Sequence, residues 1–125
     1  MMKSDNYATD NSIMLLFSDW FDPCTLNNNK LRSFDGLGSE WKNKTFVNPP
    51  YSKPIDWVRK AIEENKKGKV IVMLLRMDTS TKWFTMLQEA GALFLWINGR
   101  LRFNTGKPAN FPSMLAILTN QSESE

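Results

Sequence analysis

Four consecutive residues near the middle of the chain, Asn48, Pro49, Pro50 and Tyr51, follow the apolar run Thr45-Phe46-Val47. A β-branched and aromatic run that stops at two prolines predicts a buried strand ending in a rigid loop. Pro49 biases Asn48 away from the α region, and Pro50 does the same to Pro49. The loop is therefore stiff. It presents an amide side chain, a backbone carbonyl with no competing N–H nearby, and an aromatic ring in fixed relation. Two aligned acceptors can hold an exocyclic amino group while the ring stacks on a flat base, which suits chemistry on a nucleobase amine. The plainer alternative is a proline-rich turn capped by Asn48 and followed by a surface tyrosine.

Further candidates lie at the ends of other apolar runs. Asp22, with Pro23 and Cys24, follows Trp20-Phe21, and Arg76 ends the run at residues 70–75. Lys82, Arg100 and Arg102 are candidate phosphate contacts, and Phe103 is a candidate wedge or stacker. Alternate strand positions put Arg100 and Arg102 on one face, but charges protecting an exposed sheet edge produce the same pattern. There is no histidine and only one cysteine, Cys24. Imidazole base chemistry, a zinc site and an internal disulfide are thereby excluded, and a reducing compartment is expected.

The elements that must position these groups follow from patterning. Residues 13–17 predict a short helix with Asn11 or Ser12 as N-cap, and Trp20-Phe21 a brief strand. Residues 25–33 read as loop, and turns at Asp35-Gly36 and Gly38 continue to Trp41. Pro54 opens a helix on which Ile55, Val58, Ala61 and Ile62 recur, ended by Lys66, Lys67 and Gly68. Residues 70–75 form a strand buried on both faces. Thr79, Ser80 or Thr81 caps a helix carrying Phe84 and Leu87. Strands are expected at residues 92–97 and 114–119, with an exposed strand or hairpin arm at 100–103. Strand, helix, strand, helix, strand predicts an α/β fold with a parallel twisted sheet. Ligands bind such sheets beyond the carboxyl ends of the strands, so Asp22, Asn48 and Arg76 should share one edge. Lys66, Lys67 and Lys69 read as complements to a helix dipole. Met73, Met77, Met86 and Met114 read as core filling, and Trp57, Trp83 and Trp96 as packing.

Phe34-Asp35-Gly36-Leu37, Trp41, Asn48-Pro49-Pro50-Tyr51-Ser52, Trp57, Lys82-Trp83-Phe84 and Gly99-Arg100-Leu101-Arg102-Phe103 occur in this order. Together they resemble the phage-type DNA N6-adenine methyltransferase (Dam) family, over most of the chain from about Tyr7 to Leu118. The resemblance implies S-adenosylmethionine as cofactor, adenine in DNA as acceptor, and a compact, reduced Rossmann-like fold whose last strand inserts antiparallel. It assigns catalysis to Asn48, Pro49, Pro50 and Tyr51, with Ser52, Arg76, Lys82, Arg100, Arg102 and Phe103 on the nucleic acid. Asp22-Pro23-Cys24 resembles the turn that meets the methionine end of the cofactor. Tyr7 and Thr9 resemble the segment over its carboxylate, although Asp10 stands where a proline is usual. Asp35 and Leu37 would hold the adenosine end; a solvated Asp-Gly turn is the alternative. Only 12 residues separate Asp22 from Asp35, too few for the strand, helix and ribose-binding carboxylate of a full methyltransferase. A reduced site, poor affinity or a second chain are the three ways to accommodate that.

At 125 residues, 42% of them apolar and five of them tryptophan, the chain is expected to be one domain spanning 1–125, frayed at 1–6 and 120–125. No run approaches the roughly 20 apolar residues of a membrane span, and no signal peptide is read at the start. A cytoplasmic phage or prophage protein is the expectation. The net charge of +3 permits an anionic partner without demanding one. With no segment read as a separate target-recognition domain, specificity would come from loops or a homodimer, or be low. A nucleic-acid-binding module that has lost its cofactor is the rival reading, and cytosine N4 or an RNA base amine the rival acceptor.

Overall fold

A computed structural model describes residues 11–24, 35–50, 53–97 and 112–119. The central strand is β2 (Val70–Arg76), in which Ile71 through Leu75 are all buried. A strand covered on both faces has no polar side to expose, hence its unbroken apolar run. β1 (Lys44–Val47) pairs with it in parallel, Thr45 opposite Ile71 and Val47 opposite Met73. On its other side lies β4 (Ser113–Leu118), antiparallel, with Arg76 opposite Ser113. β3 (Leu93–Trp96) closes the described sheet, antiparallel to β4, so the strand order is β1-β2-β4-β3.

This α/β sheet is mixed: its last strand inserts antiparallel, as the resemblance implied, but the sheet is not the mostly parallel one the sequence led us to expect. The reason is the place of β4. An antiparallel strand inside a sheet makes two antiparallel ladders, and among the four described strands the β1–β2 ladder is the parallel one. The strand expected at Trp20-Phe21 shrinks to one bridging residue: Phe21 pairs in parallel with Thr45, donating to Lys44 O at 3.0 Å and accepting from Phe46 N at 2.8 Å.

Both faces of the sheet are covered. α2 (Pro54–Lys66) and α3 (Lys82–Glu89) pack on one, burying Trp57, Val58 and Ala61 from the first and Trp83, Phe84 and Leu87 from the second. Pro54 sits at the start of α2, where its missing N–H costs nothing. Thr81 caps α3, its hydroxyl accepting from Phe84 N at 3.2 Å. Gly68, at φ +100°, ends α2 in the left-handed region that favours glycine. The opposite face buries Phe46, Val72, Leu74 and Leu115, against which Ile13 from α1 (Asn11–Leu16) and Phe17 pack. Phe17 stacks on Phe46 with ring centroids 4.6 Å apart.

Two readings from the sequence are corrected by burial. Lys69 is buried rather than solvated at a helix end, because its ammonium has partners a local reading does not see: Glu64, Glu40 at 3.0 Å and Trp41 O at 2.6 Å. Glu64 is fully buried and also accepts from Lys60 at 3.1 Å, Lys67 at 3.2 Å and Trp41 N at 3.2 Å. Burial alone would raise its pKa, but the three ammonium groups and the amide outweigh it and bring it down to about 2. Trp96 is 54% exposed rather than packed, since β3 is the described edge of the sheet.

Candidate active site

The parallel strands order the site. Phe21 and β1 are parallel, as are β1 and β2, so Asp22, Asn48 and Arg76 emerge at the same carboxyl edge. β4 begins there as well, at Ser113, and Lys82 opens α3 just beyond the end of β2, exposed. Asn48 is half-buried, Pro49 buried and Pro50 exposed. Pro49, Pro50 and Pro54 form one wall of a pocket completed by Leu74, Leu75, Arg76 and Trp83. Its lining is apolar apart from Arg76, whose guanidinium lies 3.5 Å from Asp78. The pocket is an apolar slot with one cation at its rim. Trp83 lines this pocket while remaining buried; the sequence reading counted it as packing only. Its position one residue into a helix that starts at the carboxyl edge was the signal available.

Asp22 sits on a partly buried turn, where its carboxylate accepts from Cys24 N at 3.0 Å. Burial raises its pKa above the usual carboxylate range, against the lowering effect of that amide. The Cys24 thiol is pushed up to about 12, by burial first and by the Asp22 charge second. It is therefore no nucleophile at neutral pH.

Asp35 stands on a second turn. Its Oδ1 accepts from Leu37 N and Gly38 N, both at 3.1 Å, and Leu37 is 37% exposed. The two turns meet: Gly36 is buried against the Pro23 carbonyl and the Trp57 ring. Trp41, 2% exposed, donates its indole N–H to Gly36 O at 2.7 Å and stacks on Trp57 at 6.2 Å. The structure thus brings together Asp22, Pro23, Cys24, Asp35, Leu37, Asn48, Pro49, Pro50, Arg76 and Lys82 on or beside one edge. Tyr7, Thr9, Tyr51, Ser52, Arg100, Arg102 and Phe103 lie outside the described residues. Among the described residues no cluster of three metal-ligating side chains occurs, and no helix is long and apolar enough to cross a membrane.

A family model described as DNA N-6-adenine-methyltransferase (Dam) matches residues 21–123. The chain belongs to the Dam family. Two curated relatives from phages carry the description DNA N-6-adenine-methyltransferase. That of Haemophilus phage HP1 (strain HP1c1) is 34% identical over 111 residues, covering 77% of this chain and 64% of the relative. That of Escherichia phage T1 is 46% identical over 61 residues, covering 48% of this chain and 26% of the relative. The chain thus spans less than two thirds of the length of either of these Dam relatives. No solved structure matches it.

Proposed function

We propose that the chain transfers a methyl group from S-adenosylmethionine to N6 of adenine in DNA, on a reduced Rossmann-like methyltransferase domain. The observation that carries this reading is the shared edge. A half-buried amide at Asn48, the Pro49 carbonyl, the apolar proline-lined pocket and the partly buried Asp22 carboxylate converge where parallel strands end. Membership of the Dam family supports the same reading.

Asn48 and Pro49 act on the acceptor. The Asn48 side-chain oxygen and the Pro49 carbonyl accept the two N6 hydrogens of adenine. That geometry draws the nitrogen lone pair out of ring conjugation and stabilises the positive charge that develops on N6. The proton then leaves to solvent, so no strong base is required, in keeping with a chain that lacks histidine. Tyr51 stacks on a target base that must be flipped from the duplex, offsetting an unstacking cost of about a few kcal/mol. Ser52, Arg76, Lys82, Arg100, Arg102 and Phe103 hold the strand.

The cofactor residues fit the group they are assigned. A carboxylate whose pKa is raised by burial, as at Asp22, gains from a cationic ammonium such as the methionine end carries. The exposed Leu37 offers the adenosine end an apolar contact, on a turn that the Asp35 carboxylate holds in place. Tyr7 and Thr9 complete the set by resemblance. When bound, S-adenosylmethionine supplies an electrophilic methyl group on its sulfonium. The chain's own task is to place the amine in line with that group. The single cysteine suits the cytoplasm of a bacterial host.

Radiolabelled methyl transfer to DNA tests the proposal. Asn48→Ala is expected to lower the rate by about 10²–10³-fold, the usual effect of removing one such polar contact, with the thermal unfolding curve unchanged. Undiminished transfer removes Asn48 from the mechanism. A wild-type protein that gives no calorimetric heat with millimolar S-adenosylmethionine, yet binds DNA, is a nucleic-acid-binding module instead.

A further inference from the structure

Gly36 is buried where two turns meet, and its backbone does not require glycine: its φ lies outside the left-handed range. The constraint is space. A Cβ at this position would sit 2.7 Å from Trp57 Cη2 and closer still to the carbonyl oxygen of Pro23. Real Cβ atoms essentially never come within 3.0 Å of such neighbours. Neither neighbour yields easily. Pro23 is fully buried backbone, and Trp57 is 8% exposed and stacked on Trp41, which itself donates to Gly36 O at 2.7 Å. Gly36 is thus clasped from three sides, by the turn of Asp22, by α2 and by Trp41.

We infer that Gly36 is a positioning residue for S-adenosylmethionine: its missing side chain lets the turn of Asp35 and Leu37 close on the turn of Asp22, setting the spacing between the two ends of the cofactor. This rests on the cofactor reading above. The chain has only 12 residues between Asp22 and Asp35. A direct backbone contact between the two turns supplies the registration that a longer interval would otherwise provide. Trp57 belongs to the same joint. It lies in the first turn of α2, so the joint is anchored on that helix.

Isothermal titration with S-adenosylmethionine and steady-state methylation of a DNA duplex test this together. In Gly36→Ala the methyl group wedges the turns apart. The dissociation constant and the KM for S-adenosylmethionine rise at least about tenfold, or about 1.4 kcal/mol. The KM for DNA stays within twofold. Gly36→Ala combined with Trp57→Phe, which deletes one of the two clashing groups, binds the cofactor more tightly than Gly36→Ala alone. A folded Gly36→Ala with wild-type cofactor affinity overturns the inference, and so does an equal rise in both KM values, which would mark general loosening. If Gly36→Ala does not unfold cooperatively, Trp57→Phe alone decides: a raised cofactor dissociation constant with unchanged DNA KM supports the joint, and unchanged cofactor affinity overturns it. Failure of the wild type to bind S-adenosylmethionine defeats the functional reading itself, a result separable from all of these.

Discussion

Asp22 and Cys24 stand two residues apart on one turn and shift in the same direction for the same leading cause, the loss of water around them. The consequences differ. A carboxylate with a raised pKa gains from a nearby cation, whereas a thiol pushed up to about 12 is silent. Against the ordinary value of 9.0, that shift leaves about a thousandfold less thiolate at neutral pH. Alkylation of Cys24 by iodoacetamide at pH 7.5 should therefore be slower by roughly that factor in the native protein than in urea. Equal rates in the two states would show the thiol to be exposed and ordinary. The sequence placed Asp22 just past an extended residue, now the Phe21 bridge, but not its burial, because the contacts around that turn, such as Thr45 with Phe21 and Gly36 with Pro23, come from distant positions. Asp35 shows the converse. Its carboxylate bonds the amides of Leu37 and Gly38, the local Asx geometry that an Asp-Gly pair suggests on sight.

At the scale of elements, the clearest feature is the ion cluster that ties the end of α2 to the start of β2. Glu64 is held in the charged form by Lys69, Lys60, Lys67 and the Trp41 amide. Its folded pKa of about 2 lies below its ordinary 4.5, so it contributes stability that is fully present above pH 4.5. That contribution drains away as pH falls through about 2, and urea titrations across that window should show it. Glu64→Gln leaves Lys69 buried without its main counter-charge and should cost about 3–5 kcal/mol at neutral pH, with the acid dependence much reduced. A flat pH profile in the wild type would contradict the cluster. This pair could not be read in advance. Lys69 follows two other lysines and a glycine, a pattern that resembles a solvated helix end, and its second carboxylate, Glu40, lies 29 residues away. By contrast α2, the Thr81 cap and β2 were legible, because Pro54, the Thr-Ser-Thr run and the unbroken apolar stretch each act through near neighbours.

For the whole molecule, the two edges of the described sheet differ in character. Beside β1 lies the Phe21 bridge, with Lys42 and Lys44 over the Phe21 and Trp20 rings. At the other side β3 shows Leu93, Leu95 and Trp96 at 54–60% exposure with no charge or proline among its four residues. Sheet edges of that composition favour association between copies. Leu95→Lys should lower light scattering of concentrated solutions while leaving the melting temperature within about two degrees, as surface changes do. Unchanged scattering would show that this strip is not what limits solubility. The exposure of Trp96 was not legible because periodicity marks which side chains share a face, not which strand ends the sheet.

The position of β4 governs when the molecule can come together. Leu93–Trp96 hydrogen-bond only to Ser113–Leu118 among the described strands, and those same residues zip against β2 on their other side. On the ribosome, β1, α2 and β2 can dock as they emerge, but β3 must wait for its described partner until Ser113–Leu118 have been synthesised. The proposed carboxyl-edge site, which has the head of β4 as one of its borders, therefore has no finished floor until Ser113–Leu118 have been made and have paired with β2.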